Sequence, residues 1–305
     1  MADVQIVEVG LRDGLQPISS IVPTETKIRL MQQLYAAGIR RAEVSAFVSP
    51  KAVPQLADAA EVLAAAKELV DFDPQVLVPS ARRAEDALRA GAWHLAFVFS
   101  ASETHNRSNV RRSPQDSLDE LRTIVAGAPH EAKFRINVAT AFDCPFEGSV
   151  EPKAVLALIA NVIVIRSDVE IALCDTTGRA DPESVAKLFR SAAEEFPQVP
   201  GWAYHGHDTY GLGVANVLAA WSAGAHVIDA SVGGLGGCPF APGATGNVAS
   251  EDVVWAFQRM GIRTGISLDA LVDVAAASTA LPGASSGGRV REAVLARRRS
   301  PAPQP

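Results

Sequence analysis

Short apolar runs and helix-period runs alternate eight times along this chain, and few architectures accept that pattern. The strand-like runs fall at residues 4–9, 41–47, 75–78, 93–99, 134–140, 169–173, 202–205 and 226–231. The helical runs fall at residues 24–37, 55–69, 81–90, 113–126, 152–165, 181–196, 214–223 and 250–260. Boundary signals agree with the periodicity: Thr24 reads as a helix N-cap, Ser113-Pro114 and Asp181-Pro182 as helix starts, and Gly38 and Gly91 as helix ends. Strand and helix joined by short connections predict parallel strands, either closed into a (β/α)8 barrel or opened as a doubly wound sheet. The count of eight favours closure.

The 305 residues suffice for such a barrel plus an extension. The expected division is a catalytic barrel over residues 1–265 and appended helices over 266–305, with a turn at 283–288 and a frayed, basic then proline-rich tail from Arg297. A hydrophobic content of 48% against 20% charged residues provides for a large core. The formal charge of −6 argues against a general nucleic-acid binder, although an anionic small ligand needs only a local basic rim. The three cysteines, Cys144, Cys174 and Cys238, are odd in number and far apart, which points to a reducing compartment rather than a disulfide framework. No apolar run is long enough for a membrane span, and the first strand begins too near Met1 to leave room for a leader. A soluble, cytoplasmic protein is the expectation.

In a barrel of this kind the reactive side chains stand at the C-terminal ends of the strands. Arg12-Asp13 follows the first strand, Glu43 lies in the second, Asp175 ends the sixth, and His205 and His207 end the seventh. Two histidines at i and i+2 on a strand share a face and form a ready pair of metal ligands, to which the Asn247 amide oxygen adds a third. Carboxylate, imidazole and amide oxygen together suit Mg²⁺ or Mn²⁺; ligand type alone leaves Zn²⁺ open. Glu43 sits among Ala42, Val44, Ala46 and Phe47, where a buried carboxylate needs a partner. The run Gly233-Gly234-Leu235-Gly236-Gly237 lets the backbone come close to a ligand and delivers Cys238 to the same mouth. Cys174 precedes Asp175, so with Asp175 in the site alternation turns the thiol toward the helices. Cys144 is read as structural, and His94, His130 and His226 receive no role. The basic polar loop at 100–112 reads as solvated surface or as a rim for phosphates.

These residues carry a resemblance. Val7-Glu8-Val9-Gly10-Leu11-Arg12-Asp13-Gly14-Leu15-Gln16, then Phe47-Val48-Ser49-Pro50-Lys51, and then Gly-Leu-Gly-Gly-Cys-Pro-Phe-Ala with Gly243-Ala244-Thr245-Gly246-Asn247 resemble the 3-hydroxy-3-methylglutaryl-CoA lyase family in order and spacing. The resemblance implies that Asp13, His205, His207 and Asn247 hold a divalent metal. It places Arg12 against a thioester carbonyl, has Glu43 and Asp175 shape the site, and sets Cys238 on a loop over the acyl group. Gln16, Asn109, Arg111 and Arg112 become the candidate substrate-binding residues, with the 100–112 loop facing the CoA phosphates. The partner it implies is an acyl-CoA, and the assembly a homodimer.

The chemistry of the residues agrees. Cleavage between C2 and C3 of a 3-hydroxyacyl-CoA needs the hydroxyl proton removed, with Asp13 and His205 both candidates, and the resulting enolate stabilised by a cation such as Arg12. Cys238, protonated at neutral pH, is a candidate proton donor or lid group.

The chain departs from the family at Leu11 for proline, at Pro17-Ile18 for Asn-Glu, at Gly206 for cysteine or phenylalanine, and at Ala46 and Ala172 for serines. The last two change the polar groups of the acyl wall, and unpaired buried groups discriminate strongly between substrates. The leading expectation is 3-hydroxy-3-methylglutaryl-CoA; the alternative is a relative such as citramalyl-CoA. A Claisen-type synthase shares Arg12-Asp13 and the His-x-His but lacks the Gly-Gly-Cys-Pro-Phe loop and usually has a longer C-terminal region. A non-catalytic metal or phosphate binder would not need Arg12, Glu43 and Cys238 to converge.

Overall fold

A computed structural model describes residues 2–237 and 246–300. Eight strands close into a parallel barrel: β1 (Gln5–Glu8), β2 (Arg41–Ala46), β3 (Asp73–Val78), β4 (His94–Ser100), β5 (Lys133–Ala139), β8 (Glu170–Asp175), β9 (Gly201–Gly206) and β10 (Val227–Ala230). The remaining two, β6 (Asp143–Cys144) and β7 (Gly148–Ser149), form a small hairpin above β5. Closure is direct, with β1 pairing in register with both β10 and β2. The helices between strands are α1 (Thr24–Ala36), α2 (Ala59–Lys67), α3 (Ala81–Arg89), α4 (Glu103–Val110), α5 (Pro114–Gly127), α6 (Pro152–Ile165), α7 (Pro182–Glu195) and α8 (Gly213–Ser222). After β10 come α9 (Ser250–Arg259), α10 (Leu268–Thr279) and α11 (Val290–Arg299). Among the described residues no helix is long and apolar enough to cross a membrane.

Local chemistry explains most of these boundaries. Ser113 and Asp116, and Asp181 and Ser184, form reciprocal capping boxes, each followed by proline at the first helical position. The expected N-cap at Thr24 shifts by one: Pro23 takes that place, and the Thr24 hydroxyl donates to Asp58 at 2.8 Å. The loop expected over 100–112 is in part a helix, α4, because Ser102 accepts from the His105 N–H and caps it.

The outward faces of the strands carry the large apolar core, with Val44, Val76, Phe97, Ile136, Leu173 and Tyr204 packed against the helices. The inward faces differ. Small apolar side chains, Val7, Val9, Ala172, Cys174, Ala203 and Val227, share the interior with charged groups. Near the N-terminal end, Arg41 grips Glu170 through two contacts of 2.7 Å and meets Gln75 and His94, whose other nitrogen contacts Asp73 at 3.0 Å. His94 is thus part of the barrel's floor. Cys174 also corrects its expected direction: Glu170, Ala172 and Cys174 face inward on β8, so Asp175 faces outward.

One buried carboxylate ties the barrel mouth to the α9 layer. Glu8 accepts from the N–H groups of Gly10 and Val232, both at 2.8 Å, and from the Ser250 hydroxyl at 2.6 Å. Burial outweighs these hydrogen bonds and pushes the Glu8 pKa up to about 7; burial does the same to Glu251, which accepts from Gly233. A carboxyl whose folded pKa is raised contributes stability fully present below its unfolded value, near 4.5, and lost as pH rises through about 7. The parent should therefore lose stability between about pH 5 and pH 8, by on the order of 3 kcal/mol for Glu8 alone. Glu8→Gln imitates the neutral acid and should flatten that slope in urea denaturation; identical slopes in parent and variant would contradict the assignment.

Candidate active site

The turn after β1 is unusually wide. The Val9 carbonyl accepts from the N–H groups of Arg12, Asp13 and Gly14 at 3.1, 2.8 and 3.2 Å, which folds residues 10–14 into a π-type turn. This turn points Arg12 and Asp13 together over the barrel mouth. The Arg12 guanidinium donates through Nε to Glu43 on β2 and through Nη1 to Asp13, and its Nη2 has no partner among the described residues. Glu43 is buried, and its second oxygen, Oε1, is left without a hydrogen bond. The expected partner of this buried carboxylate is therefore Arg12.

His205 and His207 stand one above the other at the end of β9, ring centres 5.4 Å apart. Gly206 between them is required by packing: a Cβ there would lie 2.5 Å from the Tyr204 ring, which fills the space between barrel and helices. His207 bridges to Asn247 in an antiparallel pair, and this pairing brings Asn247 over the site. The Asn247 amide nitrogen donates to Asp13 Oδ2 at 2.8 Å and to the Leu235 carbonyl at 3.0 Å. Its oxygen is therefore turned the other way, buried and unpartnered. Gly236, at φ +125°, passes so close that a Cβ would fall 2.5 Å from that amide nitrogen. At Gly236 the missing side chain serves close approach to Asn247.

Asp13, His205 and His207 each offer an atom within 4.8 Å of the others. His207 turns Nε2 toward Asp13, 3.6 Å from Oδ2, while His207 Nδ1 and Asn247 Oδ1 are buried without a partner. A carboxylate and two imidazoles this close together suit a divalent cation, and the Asn247 amide, turned over about its terminal bond, would present its oxygen to the same point. The donor set of carboxylate, imidazoles and amide oxygen fits that group. Electrostatics agree. Burial alone would raise the Asp13 carboxyl, but Arg12 and the two histidines hold it well below the usual carboxylate range, ready as an anionic ligand. Arg12, despite burial, is held cationic by Glu43 and Asp13.

A residue not singled out in the sequence completes the constellation. Asp229, inward on β10, contacts His205 Nδ1 through Oδ2 at 3.0 Å, and the same oxygen accepts from Arg135 at 2.7 Å. Its signal was the one used for Glu43: an acid within an apolar strand, Val227-Ile228-Asp229-Ala230. Arg135, between Phe134 and Ile136, carries the complementary signal.

Other expected residues lie elsewhere. Asp175 faces outward and accepts from the N–H groups of Arg179 and Ala180 at 3.1 and 3.2 Å, holding the turn into α7; burial raises it to about 6. It shapes the rim rather than joining the Arg12–Asp13–histidine group. Gln16, Asn109 and Arg111 are exposed, whereas Arg112 is drawn down to the Pro79 carbonyl at 2.8 Å and faces Glu120. Cys144 is buried in the small hairpin with its thiol donating to Ser102 at 2.9 Å, in keeping with a structural role. Cys238 lies outside the described residues.

Comparison with known proteins gives concordant matches. The HMGL-like family model matches residues 3–277. A Pseudomonas aeruginosa protein named 3-hydroxy-3-isohexenylglutaryl-CoA/hydroxy-methylglutaryl-CoA lyase is 39% identical, covering 96% of this chain and 98% of its own. The (R)-citramalyl-CoA lyase of Chloroflexus aurantiacus is 40% identical, covering 89% of each chain. Among solved structures, an HMG-CoA lyase from Acinetobacter baumannii, in complex with coenzyme A and 3-methylmalate, superposes with a TM-score of 0.90 at 39% identity over 99% of this chain and 98% of its own.

Replacing His207 by alanine should weaken Mn²⁺ binding by roughly tenfold or more, a loss at least as large as that on removing a supporting group. Titration followed by the electron paramagnetic resonance of free Mn²⁺ reads this directly; an unchanged affinity would remove His207 from the ligand set.

Proposed function

The chain belongs to the HMGL-like family and is a lyase, and from that premise we propose that it cleaves 3-hydroxy-3-methylglutaryl-CoA to acetyl-CoA and acetoacetate with Mg²⁺ or Mn²⁺. The observation that carries the reading is the convergence of Arg12, Asp13, His205, His207 and Asn247 at one barrel mouth, with ligand atoms of Asp13, His205 and His207 within 4.8 Å of one another. Asp13, His205 and His207, with the Asn247 amide oxygen, would hold the cation. When bound, it supplies a Lewis acid that lowers the pKa of a substrate hydroxyl and fixes its direction.

The chain's own groups do the rest. The hydroxyl proton leaves at the corner formed by Asp13 and His205, the two candidate acceptors. As the C2–C3 bond breaks, its electron pair passes to C2 and the thioester oxygen becomes enolate-like. Arg12 is braced by Glu43 and Asp13 through Nε and Nη1, which fixes the guanidinium plane and leaves Nη2 for that oxygen. Because the bracing exists before substrate arrives, no reorganisation is needed when charge develops. Protonation of C2 then yields acetyl-CoA, with Cys238 the proposed donor. The acyl-CoA itself, a homodimeric assembly and a cytoplasmic location belong to the same proposal.

A second reading has support of its own. Ala172 lines the barrel interior, and Ala46 lies in an apolar patch with Leu56 and Leu77, so neither position offers a hydroxyl to the acyl group. Together with the Chloroflexus relative, this favours citramalyl-CoA as the alternative substrate.

Mass spectrometry of products from both thioesters decides between them. Release of acetyl-CoA and acetoacetate, abolished by chelation and restored by Mg²⁺ or Mn²⁺, is the expected result; preference for citramalyl-CoA would establish the second reading, and inactivity on both would overturn the substrate class. Arg12→Gln should lower turnover by about 10²–10³-fold with Mn²⁺ binding retained. Parent-like turnover in that variant would remove Arg12 from enolate stabilisation.

A further inference from the structure

Inward side chains of two non-neighbouring barrel strands meet beneath the His205 ring. On β10 the inward positions are Val227, Asp229 and Ser231; on β5 they are Arg135 and Asn137. Asp229 and Arg135 are 4% and 1% exposed, so their 2.7 Å ion pair is fully inside the barrel. Arg135 is itself fixed from three sides, donating through Nε to Asn137 at 2.9 Å and through Nη2 to Asp229, with Nη1 facing Glu170 at 3.4 Å. The result is a rigid carboxylate whose Oδ2 receives two donors, a guanidinium N–H and His205 Nδ1.

We infer that Asp229 is a positioning residue for the metal site: it fixes His205 as the Nδ1–H tautomer and turns Nε2 toward Asp13 and His207, with Arg135 locking the carboxylate in place. The inference rests on the metal reading given above. Its physical basis is the two-sidedness of imidazole. In the neutral ring one nitrogen donates and the other accepts, so whichever nitrogen gives its proton to a carboxylate leaves the other with a free lone pair. An ionised carboxylate cannot donate, so Asp229 can pair with His205 Nδ1 only if that nitrogen carries the proton. Nε2 is then the one atom of the ring able to bind a cation, and of the two candidate acceptors for the hydroxyl proton this leaves Asp13. The contact also sets the ring's rotation, since it is made in the ring plane and His205 is anchored at both Cβ and Nδ1. Arg135 matters because a carboxylate held on one side only would be free to turn away. It also neutralises a charge that would otherwise be buried beside Glu43 and Glu170.

Both donors use one oxygen of Asp229, while Oδ1 has no partner. Asn in this position keeps an acceptor for both donors and places its amide group where Oδ1 stood. Ala removes the acceptor altogether. The pair of variants therefore separates positioning from mere occupation of space. Asp229→Ala should weaken Mn²⁺ binding roughly 10- to 100-fold, and Asp229→Asn should recover most of that loss. In histidine-labelled, metal-free protein at a pH where the ring is neutral, ¹⁵N spectra of the parent should show His205 with its proton on Nδ1. The signal is assigned by its absence in His205→Gln. The Asn variant should retain that tautomer.

The parent spectrum needs no variant to fold, so it stands even if Asp229→Ala is insoluble. An Nε2–H tautomer in the parent would overturn the inference. So would a folded Asp229→Ala protein with parental Mn²⁺ affinity, or an Asn variant no better than the Ala one. A parent that bound no Mn²⁺ would instead overturn the metal reading, and the tautomer would still decide the role of Asp229.

Discussion

Charge placed inside a barrel has to be neutralised there, and that constraint organises this molecule from floor to mouth. An isolated ion in such surroundings costs several kcal/mol even after relaxation. The interior meets this by alternation: Arg41 with Glu170, Glu170 with Arg135, Arg135 with Asp229, Asp229 with His205, and above them Arg12 with Glu43 and Asp13. The pairs run toward the C-terminal ends of the strands and end at the mouth in the group of Arg12, Glu43 and Asp13. Glu43 Oε1, His207 Nδ1 and Asn247 Oδ1 are buried without partners. What distinguishes the mouth is that a carboxylate and two imidazoles, Asp13, His205 and His207, offer ligand atoms within 4.8 Å of one another there, which is what a site for a cation requires.

Around that mouth, backbone geometry is held by buried acids and by the C-terminal extension. Glu8 joins the turn that carries Arg12 and Asp13 to the start of the glycine run, because one oxygen serves both Gly10 and Val232. From the opposite side, Ser285 exchanges hydrogen bonds with Gly236, and the Gly287 N–H donates to Gly233. The segment between α10 and α11 is thereby part of the site's support: it holds Gly233 and Gly236 in place. Asp252 accepts from the N–H groups of Arg289 and Val290, which starts α11 in the same place.

Much of this was legible in the sequence, for identifiable reasons. Eight short apolar runs with helices between them admit a closed barrel, and the proline-led caps at Ser113 and Asp181 marked helix starts to the residue. The Arg12-Asp13 pair, Glu43, the two histidines and Asn247 were visible because polar residues at the ends of apolar strands have to be explained. What failed was strand parity. Cys174 and Asp175 were assigned to the wrong faces, since an alternation argument fixes relative directions and leaves the absolute one to the neighbouring strands. Asp229 and Arg135 were missed although each interrupts an apolar strand as Glu43 does; they pair across the barrel at a separation of 94 positions, which no local pattern encodes. The helix α4 was hidden because its residues are polar nearly all round, and its Ser102 cap is a weak signal when no apolar stripe follows.

A divalent cation held among Asp13, His205, His207 and Asn247 is the proposal on which the rest of the site's chemistry depends. The most direct measurement is anomalous diffraction from crystals of the full chain soaked in Mn²⁺. The expected result is one strong peak at the barrel mouth, bonded to the Asp13 carboxylate, His205 Nε2, a His207 ring nitrogen and the Asn247 amide oxygen. A peak elsewhere in the barrel, or one that left His205 and Asn247 out of its bonds, would contradict it.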